Sequence, residues 1–267
     1  MLIPLSLLAA SYMGKVASIS NNDVAILDEI KQCQTAVAHS TQGVDNYFTP
    51  ISASLACYYG PLDKANVDAA LKWSQSDTLK YRRTLVVKSP GGDANLGILL
   101  GNSLLGQRTL VAVDEICLSS CANYIFLPAF KKYIKPYSLV VFHGGAAKSM
   151  AKDISKSNLP KQQKKLAYKA LDELYNKQND LFSRAKVNGS FLEKYYNTKV
   201  FSKSDLLNCT NSKSDVVGIA LTYQQYRNIG ADVKGYIASS KNDLYESLSK
   251  QGKGDKSLCI APPYLFK

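Results

Sequence analysis

Three short segments of the chain carry residue types from which a hydrolytic site can be built. Ser89-Pro90-Gly91-Gly92-Asp93 follows directly on the apolar run Thr84-Leu85-Val86-Val87. Cys117-Leu118-Ser119-Ser120-Cys121-Ala122 comes next, and after a further apolar run stands His143-Gly144-Gly145. In that order they supply a glycine turn whose amides can bind an oxyanion, a small-residue turn carrying a serine, and a histidine at a strand end. Those are the parts of a serine hydrolase. Each has an ordinary structural use when taken alone: a common turn, a serine helix cap, a histidine bonded to backbone. Their order and spacing are what point to chemistry.

The elements that must position these segments alternate between strand and helix. Pro50 to Tyr59 is rich in β-formers and predicts a strand, and Gly60-Pro61 turns the chain. Asn66 to Ser74 has helical periodicity, and Leu85 to Val87 is a buried strand. Ala94 to Leu105 predicts a helix, Thr109 to Val113 a strand, Ser120 to Phe126 a helix start and Leu139 to Phe142 another strand. Short links between such elements imply an α/β fold with a mostly parallel sheet. Ligands of such sheets sit at the carboxyl ends of the strands, where all three segments fall.

Flanking regions complete the organisation. Residues 1–18 read as a leader: the apolar run Met1 to Met13 has the length of a signal-peptide core and is too short to span a bilayer. Residues 19–50 are a polar lead-in, helical from Asp23 to Gln34, and 51–238 the main domain. Within that domain 148–190 is a lysine-rich helical insertion with an apolar stripe at Leu166, Ala170, Leu171, Leu174 and Leu181. Val217 to Leu221 predicts a last strand, Gln224 to Asn228 a helix and Gly230 its C-cap; 239–267 is a tail.

The chain of 267 residues is 46% apolar, enough for a full core. Its net charge of +12 comes mostly from lysine spread along the sequence, with arginine only at 82, 83, 108, 184 and 227. Nucleic-acid readers rely on arginine for bidentate contacts, so no nucleic-acid partner is expected. Six cysteines, Cys33, Cys57, Cys117, Cys121, Cys209 and Cys259, suit an oxidising compartment and disulfides, in any of the pairings open to them. The Cys117-to-Cys121 spacing fits no common zinc site and the only histidines are His39 and His143, so no metal is expected. With the leader, the cysteines predict a periplasmic or secreted protein without a transmembrane segment. No phosphate-binding Gly-x4-Gly-Lys-Ser/Thr loop is present, and no cofactor is expected.

From about Ile51 to Gly230 the chain resembles the Clp-protease proteolytic subunit (ClpP) and crotonase-like superfamily, and within it the small periplasmic ClpP-like proteins of bacteria. The resemblance rests on Gly60-Pro61, Ser89-Pro90-Gly91-Gly92, Cys117-Leu118-Ser119-Ser120-Cys121-Ala122-Asn123-Tyr124 and Phe142-His143-Gly144-Gly145. It implies a spiral of ββα units, often assembled into trimers or rings, and a catalytic order Ser, His, Asp/Asn. The family's nucleophile lies in Ser-x-(Gly/Ala)-x-aromatic. Ser120-Cys121-Ala122-Asn123-Tyr124 fits that frame better than one begun at Ser119, so Ser120 is favoured and Ser119 is the alternative. His143 maps onto the general base, and the amides of Gly92 and Cys121, beside Gly91, onto the oxyanion hole. The third member falls near Gly218; Asp215 is the nearest acid, with Asn197 and Asp205 as alternatives. Leu127-Pro128-Ala129-Phe130 departs from the Ala-Gly pair usual there.

The leading expectation is therefore an exported ClpP-like serine hydrolase, a peptidase acting on peptide or protein substrate as a homo-oligomer. A non-catalytic oligomeric scaffold on the same fold is the alternative. A crotonase-type acyl-thioester enzyme ranks below both, since no nucleotide-contacting or carboxylate set stands near either turn.

Overall fold

The computed structural model describes residues 20–38, 46–76, 82–198, 201–211, 215–252 and 257–267. The leader and His39 lie outside them. Helix α1 (Asn21–Ala38) precedes a short strand β1 (Phe48–Pro50), which turns back at Ser52 into β2 (Leu55–Tyr59) as an antiparallel pair. The single strand expected over Pro50 to Tyr59 is thus two. Ser52 Oγ accepts from the Ser54 and Leu55 amides, the local bonding that favours a turn over an extended run.

The βα alternation then follows: α2 (Lys64–Gln75), β3 (Thr84–Ser89), α3 (Ala94–Gly106), β4 (Leu110–Leu118), a π-type helix at Cys121–Phe126, β5 (Lys131–Ile134) and β6 (Leu139–Val141). Asp63 and Asp93 cap α2 and α3, each accepting from the amide three residues on. Beyond β6 come α4 (Met150–Lys156), α5 (Lys161–Ala185), α6 (Ser190–Asn197), α7 (Lys203–Leu206), β7 (Gly218–Ala220), α8 (Tyr223–Asn228), β8 (Val233–Gly235), α9 (Lys241–Lys250) and β9 (Leu258–Ile260).

The main sheet runs β1-β2-β3-β4-β5-β8, and every pair in it except β1–β2 is parallel. Period-two alternation decides what each face buries. Ala56, Tyr58, Leu85, Val87, Val111 and Val113 face the core beneath α2, α3 and the helix at Cys121–Phe126. Leu55, Cys57, Val86, Leu110 and Ala112 face Ile26, Ile30 and Cys33 of α1 on the other side. The result is a three-layer α/β arrangement, with the Cys33–Cys57 disulfide fastening α1 to the sheet.

β4 is longer than the expected Thr109–Val113 because it continues through two carboxylates. Its first half pairs with β5 and its second half with β6. The change of partner falls at Asp114-Glu115, where Glu115 has φ 64°. Asp114, 1% exposed, accepts from Gln34, Tyr59 and Lys135, so its charge is fully bonded. This bend carries the end of β4 alongside β6.

The C-terminal tail is built into the body. β9 pairs with β7, and Cys209–Cys259 ties the two strands' surroundings together. Ile219 of β7 exchanges two backbone bonds of 2.8 Å with Phe142. On α5 the buried positions are Gln178, Leu181 and Phe182, while Leu166, expected on the apolar stripe, is 63% exposed. No helix among the described residues is long and apolar enough to cross a membrane.

Candidate active site

Parallel neighbours end at one edge, and three of them end in the three sequence segments. β3 runs into Gly91-Gly92, β4 into Ser119-Ser120, and β6 through Phe142 into His143. The Ser119 amide donates to the Val141 carbonyl at 3.0 Å, extending the β4–β6 ladder to the serine itself. Phe142 is fully buried against Phe191 and Tyr226, so the residue before the histidine is fixed by packing as well as by β7.

The hydroxyl that meets the histidine belongs to Ser119. Its Oγ lies 2.5 Å from His143 Nε2. Ser119 has φ 57°, in the left-handed region that a non-glycine residue adopts at a local cost of roughly 1–2 kcal/mol. That conformation turns the side chain out of the strand just before the chain enters the helix at Cys121. The Cys117–Cys121 disulfide closes the same turn from behind, both sulfurs being buried. Arg108, Glu115, Tyr137 and Lys186 take positive φ as well, and Ser119 is the one among them whose hydroxyl meets a histidine.

Ser120 points elsewhere. It is 6% exposed and its hydroxyl donates to the Gly92 carbonyl at 2.8 Å. The two serine positions are thus separated by geometry: Ser119 on the imidazole, Ser120 on the glycine turn.

The glycine turn is shaped for close approach. Gly91 (φ 92°) lies so near the serine turn that a Cβ would meet the Leu118 oxygen at 2.7 Å and Ser119 Cβ at 2.8 Å. Gly92 is exposed, and among the described residues its amide and that of Ser120 have no protein acceptor. Gly91 brings this turn against the serine turn, since a Cβ on it would also lie 2.9 Å from the Ser120 nitrogen. Gly91's amide is taken by Ser89 Oγ at 3.1 Å, and Cys121 lies within the helix that follows.

His143 Nδ1 lies 3.1 Å from the Gly144 carbonyl. A carbonyl only accepts, so Nδ1 carries the proton and Nε2 is left to accept from Ser119 O–H. Asp215 is exposed and is not brought to the ring. Asn197 Oδ1 accepts from Ser149 at 2.5 Å, and Asp205 caps α7 through Ser202. Among the described residues no carboxylate bonds His143.

Two buried amides that the motifs do not contain hold this arrangement. Asn123, on the helix after Ser119, donates to the His143 carbonyl at 3.3 Å. Gln178 of α5 pairs with Ala146 in both directions, accepting from its amide and donating to its carbonyl at 3.0 Å each. Its Oε1 also accepts from Tyr124 at 2.9 Å. Burial pushes the Tyr124 phenol up to about 12, so it remains a donor. Gln178 therefore joins the helix after Ser119 to the loop after His143. Its signal in the sequence is a polar residue set between Leu174 and Leu181 on an apolar stripe.

All six cysteines are in disulfides, and among the described residues no group of His, Cys, Asp and Glu is arranged to hold a metal ion. No protein-family model matches the chain, and no curated protein matches it.

Proposed function

We propose that the chain is an exported serine hydrolase of the ClpP-like type, a peptidase in which Ser119 is the nucleophile and His143 the general base. The observation that carries this reading is the 2.5 Å approach of Ser119 Oγ to His143 Nε2 from a residue held at φ 57°. Ser119 transfers its proton to Nε2 as its oxygen bonds to the substrate carbonyl carbon. The oxygen of that carbonyl becomes an anion, to which the Gly92 and Ser120 amides donate. The imidazolium returns the proton to the leaving group, and water repeats the sequence on the acyl-enzyme. Moving the nucleophile from Ser120 to Ser119 moves the second oxyanion amide from Cys121 to Ser120.

Three disulfides support an oxidising location. The parallel sheet with its site at the strand ends is compatible with the ββα spiral, and a homo-oligomer remains part of the proposal. One observation favours the scaffold reading: the imidazole is oriented by its neighbour's carbonyl, and among the described residues no carboxylate bonds it to stabilise its charged form.

The test is labelling of the oxidised protein with a fluorophosphonate probe, beside Ser119→Ala, Ser120→Ala and His143→Ala. Labelling that disappears in Ser119→Ala and His143→Ala and persists in Ser120→Ala supports the assignment. A folded wild type that never labels moves the weight to the scaffold.

A further inference from the structure

The hairpin of α4 and α5 lies on the surface, tied to the body by bonds from Tyr196 to Asp153 and from Lys177 to Asn95. From Lys148 to Lys177 no residue is buried, across two helices and the turn between them. While Asp172, Glu173 and Asp180 lie on the inner end of α5, the outer part of the hairpin is one-sided in charge: from Lys148 to Lys169 stand seven lysines and a single acid, Asp153. That acid accepts from the Tyr196 hydroxyl at 2.6 Å.

Spacing makes the charge a device of the fold. Lys148, Lys152 and Lys156 follow one another at four-residue steps, and so do Lys161, Lys165 and Lys169. In a helix, residues four apart are neighbours on one face, and like charges so placed destabilise it. α5 thus carries a row of three mutually repelling cations and α4 a pair, Lys152 and Lys156, while Lys148 precedes α4 with its ammonium 5.2 Å from the Tyr175 ring. In α5 the row is relieved at its body end, where Lys169 reaches Glu173 at 3.8 Å. An external anionic surface would relieve the rest.

Two apolar side chains accompany the rows. Leu159, in the turn, is 41% exposed and Leu166 is 63% exposed. A cationic helix carrying exposed leucine matches the headgroup layer of a bilayer, where lysine meets phosphate and leucine enters the acyl boundary. The rows are lysine, a compact point charge suited to a diffuse array of phosphates, with no arginine for bidentate docking into a protein groove. A second copy would set like rows against each other.

We propose that the α4–α5 hairpin is a docking limb for an anionic phospholipid surface, and that it holds the site's edge of the protein at a membrane it does not cross. This is independent of whether Ser119 is catalytic.

The experiment is co-sedimentation of the full chain with vesicles of phosphatidylcholine alone or mixed with phosphatidylglycerol, at low and high salt. Wild type is expected to bind only the mixed vesicles and to be released by salt. The triple variant Lys161→Gln, Lys165→Gln, Lys169→Gln is expected to lose at least about tenfold in binding. Its thermal midpoint should be nearly unchanged, because relief of the row's repulsion offsets loss of the Lys169–Glu173 pair. Absence of binding, or binding the triple variant retains, overturns the proposal. So does limb-dependent self-association in sedimentation velocity, which assigns the limb to a second copy. Equal affinity for soluble polyglutamate also overturns it and assigns the limb to an acidic protein.

Discussion

Ser119 Oγ and His143 Nε2 lie 2.5 Å apart although 24 residues separate them in the chain. The contact exists because β4 changes partner midway and delivers its last residues alongside β6. Ser120, next in sequence, bonds the Gly92 carbonyl instead. Ser120→Ala should therefore keep the nucleophile and loosen the turn that presents the Gly92 amide. The expected result is probe labelling slowed by about tenfold, well short of the 10²–10³ that loss of a whole oxyanion donor brings. Time courses of labelling measure it; complete loss in folded Ser120→Ala would return the nucleophile to Ser120.

Gly91 is sterically confined where the glycine turn meets the serine turn. Alanine there needs φ 92° and places Cβ 2.7 Å from the Leu118 oxygen. Backbone strain and displacement together should cost at least about 2 kcal/mol of stability. The glycine turn and the serine turn should then separate, so labelling falls more steeply than stability does. Chemical denaturation and labelling on the same sample compare the two. Equal labelling per folded molecule would show that the approach of the turns is structural only.

The strand-end positions of Gly91, Ser119 and His143 are legible in the sequence, because buried parallel strands are written as short apolar runs ending at turn residues. The choice between Ser119 and Ser120 is not legible. Both are small, both stand just before the same helix, and only the closed backbone shows which one takes positive φ. Lys131–Ile134 hides as a strand because it opens with two lysines, one of them buried through its bond to Ala129. Leu166 falls on the apolar stripe by helical spacing, yet it is 63% exposed because that part of α5 lies on the surface. Gln178 escapes motif reading because its partners are distant in the chain: main-chain groups of Ala146, 32 residues away, and the Tyr124 hydroxyl.

Gln178→Glu tests that clamp while preserving its shape. The carboxylate keeps an acceptor for the Ala146 amide and the Tyr124 hydroxyl, and loses the donor to the Ala146 carbonyl. A buried carbonyl without a partner costs roughly 1–3 kcal/mol. The loop after His143 should shift, and labelling should slow by about tenfold with the probe's affinity little changed. Rate and saturation are separable in a concentration series. A loss of stability at constant labelling rate would make Gln178 a fold residue alone.

The three disulfides should divide between stability and site geometry. In the chain-entropy treatment, loop lengths set by separations of 24 and 50 residues give Cys33–Cys57 and Cys209–Cys259 about 3.5 and 4 kcal/mol, against about 2 for the four-residue separation of Cys117–Cys121. Replacing Cys117 and Cys121 by Ala should therefore cost the least stability and the most labelling, since that bridge closes the turn holding Ser119 at positive φ. Replacing Cys33 and Cys57 by Ala should do the reverse. Paired melting and labelling experiments on the two variants decide it, and labelling unaffected by loss of Cys117–Cys121 refutes the positioning role.

Lys132 offers a pH signature remote from the site. It is 6% exposed, its ammonium donates to the Ala129 carbonyl, and burial lowers its pKa to about 8, with Asp232 opposing the shift. An unfolded lysine titrates near 10.4. Between these values the unfolded chain binds a proton that the folded chain has released, so stability rises with pH across that window. Below about pH 8 both states are charged, and the folded state carries the full penalty of the buried cation, up to about 3 kcal/mol. Lys132→Met should remove the penalty and lose one hydrogen bond, for a net gain of about 1–2 kcal/mol at neutral pH. It should also flatten the rise in stability between about pH 8 and pH 10. Urea denaturation at several pH values measures both. A Lys132→Met protein that is less stable at neutral pH, with the wild-type slope retained, would show that the ammonium's bond to Ala129 outweighs its desolvation.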